Sequence, residues 1–205
     1  LICLVCVNVG LPETRMRELR AGSNPLAALH TYGHLIVSRR FIAYVAVLAL
    51  AMGGFFAYIA GSSFAFISIH GLSPAAYSGI FALNSLGLMA GAQIGPRLMG
   101  RYRPETIVRT ALLVYASSAV GLAVLELSGG ANLFAFSALL FVVIAAMAFT
   151  LPLCSTMALE AYGAISGTAS ALMGALQFGS GTMASLAVGL LADGTTIPMV
   201  TIIAL

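Results

Sequence analysis

Long apolar runs separated by short polar breaks dominate the chain. The runs cover about 42–68, 76–99, 106–127, 132–157 and 164–192. Each meets the roughly 20-residue length that a helix needs to cross about 30 Å of hydrocarbon. A further run starts near Thr196, and residues 1–9 read as the tail of another helix. The breaks are short: HGLSP, an arginine-bearing stretch, LSGG, EAYGA and ADGT. Short connections make neighbouring helices antiparallel, so successive breaks alternate between two sides. The pattern predicts an all-α membrane bundle. Both ends fall inside apolar runs, and no signal peptide is visible, so the chain is expected to be a piece of a longer one.

Residues 10–40 interrupt this pattern and form the most polar segment. Asn24-Pro25 is a helix-start signal, because Pro suits the first helical position, where no N–H is needed. Leu26, Leu29, Ile36 and Val37 then recur near helical spacing. This predicts a short amphipathic helix on the membrane surface. The expected organisation is therefore 1–9 as a helix end, 10–40 as a polar loop with its amphipathic helix, and 41–205 as a transmembrane bundle ending in a truncated helix.

Composition agrees with this pattern. The chain is 60% hydrophobic and 7% charged, against about 25% charged in a soluble domain. That is too little charge to coat a water-facing globule. The net charge of +3 rests on nine basic residues, all arginine, too few for a nucleic-acid surface. Their placement is informative. Five fall in 10–40 (Arg15, Arg17, Arg20, Arg39, Arg40), and four in 97–109 (Arg97, Arg101, Arg103, Arg109). Both stretches lie on the same side by alternation, and an excess of arginine marks the cytoplasmic face. The break near 160 belongs to that side but carries only Glu160.

Candidate chemistry is sparse. Cys3 and Cys6 form a C-x-x-C within an apolar run, and Cys154 is far away. Zinc needs four ligands, and no matching second pair exists. His30 and His34 lie four apart without a third ligand and read as headgroup-facing. There is no Gly-rich phosphate loop, nucleophile triad or metal cluster, so neither an enzyme nor a cofactor is expected. Asn84, Gln93 and Gln177 are polar residues within spans. Each is either a packing hydrogen bond between helices or part of a pathway. Glu126 and Glu160 sit at span ends, so no deeply placed acid is expected in these spans.

Two segments stand out. In "GGFFAYIAGSSFAF" (53–66), Gly53 and Gly54 offer a bend. Phe55, Phe56, Tyr58, Ser62, Phe64 and Phe66 give either ordinary core and lipid-facing rings or an adaptable surface for flat amphipathic molecules. Phe141, Met147, Phe149 and Met157 add to it from 132–157, where Pro152 is expected to kink the helix. In 163–189, the pairs Gly163/Gly167, Ser170/Gly174 and Gly181/Ser185 are four apart. They give either close static packing or a face that slides against a neighbour.

Several stretches taken together resemble one family. These are "LPETR" (11–15), "GGFFAYIAGSSFAFISIHGLSPAAYSGIFALNSLGLMAGAQIGPRLMGRYRPETIVR" (53–109) and "GAISGTASALMGALQFGSG" (163–181). They resemble the Bcr/CflA drug-resistance transporters of the major facilitator superfamily, bacterial proton-coupled multidrug exporters. The resemblance implies the six-helix C-terminal half of a twelve-helix carrier: the end of helix 6, a central cytoplasmic loop, helices 7–11 and the start of helix 12. It implies a bacterial inner-membrane location, a drug-like substrate, protons as coupling ion, and a partner in the N-terminal half of the same chain. Helices 7 and 10 would line the cavity and helices 8 and 11 the interface between halves. On this basis Phe55, Phe56, Tyr58, Ser62, Asn84, Phe149 and Gln177 are the expected cavity residues. "GPRLMGRYRP" looks like the superfamily's repeated Gly/Arg loop, making Gly95, Arg97, Gly100, Arg101 and Arg103 a cytoplasmic gate as well as topology markers. It lacks the usual acid before the central arginine, so Glu160 is the expected nearby partner. Where the family often has proline after the helix-7 serines, this chain has Phe64. An uptake carrier of the same fold for a sugar or organic acid would offer charged or many polar groups in its spans, and these spans offer few. A non-transporting membrane scaffold would not call for the bendable aromatic Gly-Gly helix with cavity-facing Asn and Gln.

Overall fold

The structure is a computed structural model and describes Gly10, residues 25–129 and residues 132–205. Cys3, Cys6, Arg15, Arg17, Arg20 and the LPETR stretch lie outside these residues.

Helix α1 spans Pro25–Val37, starting at the proline. It presents Leu35 to the interior, while Leu29, Ile36 and Val37 are exposed. Ser38 turns the chain into α2, Arg39–Ser63. Its hydroxyl does not cap that helix but pairs with the hydroxyl of Tyr162 at 2.6 Å. Helix α2 continues as a π-helical turn over Phe64–Ile69. The regular α pattern runs through Gly53 and Gly54 and gives way at Phe64. Gly54 serves close approach. A methyl group on Gly54 would collide with the Tyr115 hydroxyl, and one on Gly53 would touch Ala184.

Gly71, at φ +68, closes the next turn, which only glycine enters without strain. Helix α3 is Pro74–Leu98, capped by the Ser73 hydroxyl accepting from the Ala76 N–H, with Pro74 in the first turn. Helix α4 is Pro104–Leu127. Helix α5, Leu133–Leu159, starts with the Asn132 side chain accepting from the N–H groups of Phe134 and Ala135. It runs on through Pro152 as one helix. A 3-10 turn over Glu160–Ile165, with Tyr162 at non-helical φ −120 and ψ 29, separates it from α6, Ser166–Leu190. Helix α7 is Ile197–Ala204. No strand occurs among the described residues.

Arg39–Ile69, Pro74–Leu98, Pro104–Leu127 and the run Leu133–Leu190 are each long and apolar enough to cross a bilayer. The turn at Tyr162 divides the last of these into α5 and α6, of 27 and 25 residues, each sufficient alone. The architecture is the all-α membrane bundle that the apolar runs predict.

Helices α2 and α5 form the centre. Helix α5 packs on α3, α4 and α2, while α2 packs on α6, α5 and α7, and α4 also meets α7. The buried residues of α3 are Asn84, Gly87, Gly91 and Gly95, a single stripe at helical spacing. A methyl group on Gly91 would lie 2.6 Å from Ala148 Cβ and 2.8 Å from the Ala145 carbonyl oxygen. One on Gly87 would lie 2.7 Å from Phe141. The glycines therefore let α3 lie almost backbone-to-backbone on α5, as small residues do where no hydrophobic effect drives helices together. On α6 only Gly181, against Phe56, has such a neighbour. Gly163, Gly167, Gly174 and Gly189 have none within 4 Å among the described residues. Ser180 joins α6 to α2 through its hydroxyl and the Ala49 carbonyl at 2.5 Å.

Candidate substrate site

Tyr58, Ser62 and Phe66 follow one another at helical spacing on α2 and face α3 and α5. Tyr77, Phe81 and Asn84 make the corresponding row at the start of α3. Two hydrogen bonds tie the rows together. Asn84 Nδ2 donates to the Tyr58 hydroxyl at 3.1 Å, and the hydroxyls of Ser62 and Tyr77 lie 2.9 Å apart. Tyr58, Ser62 and Asn84 are all buried, at 1%, 0% and 2% exposure. Within a bilayer no water competes for such groups, and helix-to-helix polar bonds there contribute about 0.6 kcal/mol on average.

Rings fill the space around these bonds. Tyr58 stacks on Phe81 with centroids 5.9 Å apart, and Tyr77 meets Phe81 at 6.1 Å. Phe66 contacts Tyr77 at 5.9 Å and Phe136 of α5 edge-on at 5.3 Å. In the other direction Phe55 lies 6.3 Å from Tyr58, and Phe56 reaches Phe178 of α6. Each well-oriented ring pair adds about 0.5–1.5 kcal/mol beyond area burial. The result is a continuous aromatic ladder across α6, α2, α3 and α5, with amide and hydroxyl groups embedded in it. Phe81 is 37% exposed, so the ladder reaches the surface at α3. His70 closes the outer end against Phe136 at 5.1 Å, and its Nε2 is buried without a partner among the described residues.

The structure thus brings together Phe55, Phe56, Tyr58, Ser62 and Asn84. It does not bring Phe149 or Gln177 to them. Phe149 lies further along α5, beside Gly91 and Gly95, where it lines a groove with Leu98, Thr106 and Thr110. Gln177 is half-buried on α6, where its backbone carbonyl accepts from Ser180. Its neighbour Phe178 supplies the contact to Phe56 instead. Sequence reasoning missed Tyr77, Phe81 and Phe136. The spacing of Tyr77, Phe81 and Asn84, four and then three residues, is a helical stripe that marks the first two.

Arg97, Arg101 and Arg103 are exposed at the α3–α4 turn. Successive helical-type bonds, Arg101 N–H to Leu98 O and Tyr102 N–H to Leu98 O, both at 2.9 Å, hold that turn. Gly95 packs 3.2 Å from Leu153 by its would-be methyl, and Gly100 sits within the turn. Glu160 is not the partner of these arginines. It pairs with Arg40 at 3.0 Å, because the 3-10 turn carries it to the α1–α2 elbow. That pair fixes the 160 turn on the arginine-bearing side. No three His, Cys, Asp or Glu side chains gather as metal ligands among the described residues.

No solved structure matches the chain. Among curated proteins it is 29% identical over 97% of its length to the uncharacterized MFS-type transporter YdgK of Bacillus subtilis. It is 26% identical over 92% of its length to the bicyclomycin resistance protein homolog of Haemophilus influenzae. The chain spans about half the length of these relatives, 49% and 47%. The family model described as Major Facilitator Superfamily matches residues 1–186. With apolar helices of spanning length and a match over most of its residues, this multi-pass membrane protein belongs to the major facilitator superfamily.

Proposed function

We propose that the chain is the C-terminal half of a Bcr/CflA-type carrier that exports drugs or other small amphipathic molecules across the bacterial inner membrane, driven by protons. The observation that carries this reading is the buried Tyr58–Asn84 bond set within the aromatic ladder. Flat rings with a few fixed polar groups suit apolar molecules that differ in detail. A sugar site needs many more polar groups than these spans offer. The resistance protein homolog among the relatives supports export of drug-like molecules.

Superfamily carriers rock two halves about a midplane site. In this reading the ladder of α2 and α3 meets the substrate from one side and the N-terminal half from the other. Gly95, Arg97, Gly100, Arg101 and Arg103 close the cytoplasmic end. They are free to do so, since those arginines have no ion-pair partner among the described residues. The described acids, Glu105, Glu126, Glu160 and Asp193, all sit at helix ends or in turns. The coupling acid is therefore assigned to the N-terminal half.

The test is drug accumulation in a pump-deficient bacterial strain expressing the full-length gene, with and without a proton uncoupler. Lower accumulation that the uncoupler abolishes is expected. Equal accumulation with and without the carrier across a broad drug panel would sink the export reading, and raised accumulation would favour uptake.

A further inference from the structure

Asn84 does more than bond to Tyr58. Only one end of its amide is used. Its Oδ1 is buried and has no partner among the described residues, although the side chain is 2% exposed. Across from it on α5, the Ser137 hydroxyl is likewise buried and unpartnered. This is unusual for the molecule. Ser78, Ser85, Thr110, Thr156 and Thr182 all return their hydroxyls to the carbonyl four residues earlier, the common solution for a hydroxyl inside a helix. Ser137 does not. A buried polar atom left unpaired costs about 1–3 kcal/mol, and more where no water reaches it.

Both residues line the same cavity. It lies between α3 and α5, has a volume of about 540 Å³, and is otherwise lined by apolar side chains such as Leu83, Phe134, Phe141 and Val142. Phe141 and Val142 also line the groove between α4 and α5. The cavity therefore adjoins that groove along α5. Its size falls within the range of small-molecule sites.

We infer that this cavity is a binding site for a neutral, single-chain amphipathic molecule carrying one hydroxyl or secondary amide. The polar group donates to Asn84 Oδ1 and accepts from the Ser137 hydroxyl, and the apolar body lies along Phe134 and Phe141. Phospholipid is disfavoured as occupant because no basic side chain lines the cavity to meet a phosphate. Because Asn84 bonds to Tyr58, an occupied cavity holds the amide in the orientation that the ladder uses. The inference stands apart from the export reading, since binding is measured without transport.

The test uses the full-length carrier in nanodiscs and a diazirine-bearing octanol as photolabel, with adducts mapped by peptide mass spectrometry. Labelling within 80–84 and 133–142, displaced by excess 1-octanol, is expected. The methyl ether of the same probe cannot donate, and it should label these segments roughly three- to tenfold less, the effect of one hydrogen bond. Ser137→Ala leaves the Tyr58–Asn84 bond intact and should weaken octanol labelling by a similar factor. Asn84→Leu should do the same, provided the variant elutes as a single species. The inference is overturned by absence of adducts in these segments, by equal labelling with alcohol and ether, or by unchanged labelling in Ser137→Ala. A carrier that labels but does not export sinks only the export reading, and one that exports without labelling sinks only this one.

Discussion

The two ends of the bundle are built from different chemistry. At the arginine-bearing end, Leu35, Phe41, Val45, Leu48, Ile107, Val108, Leu153 and Cys154 form a buried cluster held by apolar contact. Towards the other end, Tyr58, Phe66, Phe136, Leu140 and Ile203 form a second cluster, and here Ser62, Tyr77 and Asn84 add directed hydrogen bonds. Apolar contacts tolerate repacking when volume is conserved. A buried polar network does not, because each group depends on its partner's position. The arginine-bearing end is thus a hub that holds helices together. The aromatic end fixes particular groups at particular places, as the proposed recognition surface requires.

The comparison depends first on the seam that both ends share, where α3 lies on α5. Gly91→Ala puts a methyl group within 2.8 Å of a backbone oxygen, which cannot rotate away. The helices must part, and overpacking of this kind costs about 1–3 kcal/mol. A clearly lowered melting temperature of the purified full-length protein is expected. If melting is unchanged, the seam is loose and the two ends cannot be treated as one rigid unit.

The second effect is smaller and separates the two ends directly. Tyr58→Phe keeps the ring and its stacking on Phe81 but removes the acceptor for Asn84 Nδ2. The expected loss is about 1 kcal/mol of stability, with reduced export of most substrates. Leu48→Met, in the cluster at the arginine-bearing end, conserves volume and should leave export unchanged. Equal effects of the two substitutions on accumulation assays would erase the distinction between hub and recognition surface.

Much of this was legible in the sequence, and what was not has a common cause. The helices follow from apolar runs and from local caps such as Ser73-Pro74 and Asn132, which need only neighbouring residues. Tyr58, Ser62 and Asn84 stand out singly, because polar groups in apolar spans are costly. Their pairing does not, because it depends on how α2 rotates against α3. Gly53 and Gly54 read as a bend because glycine pairs often bend helices. Their real neighbours, Ala184 and Tyr115, lie in distant segments. Phe149 has the same chemistry as the ladder's rings, but its position on α5 points it at the α3 glycines and the α4 groove. Glu160 looked like a partner for Arg97 and Arg101 by side of membrane alone. The 3-10 turn around Tyr162 settles it on Arg40 instead.

That last pair gives the smallest expected effect and the sharpest test of the arginine-bearing end. Arg40 and Glu160 are 60% and 67% exposed, so water screens them, and such pairs contribute about 0–1 kcal/mol. If the pair only staples the α5–α6 turn to the α1–α2 elbow, Arg40→Gln and Glu160→Gln should each lower melting temperature slightly and by the same amount. Their combination should be no worse than either alone, and neither should change export. A different outcome would revise the contrast between the ends. If Glu160→Gln reduces export while Arg40→Gln does not, Glu160 serves a second partner during the transport cycle. Arg97 and Arg101, exposed and without an ion-pair partner among the described residues, are then the cations to test by charge exchange. Export restored by pairing Glu160→Arg with Arg97→Glu or Arg101→Glu would make the arginine-bearing end a moving gate rather than a static hub.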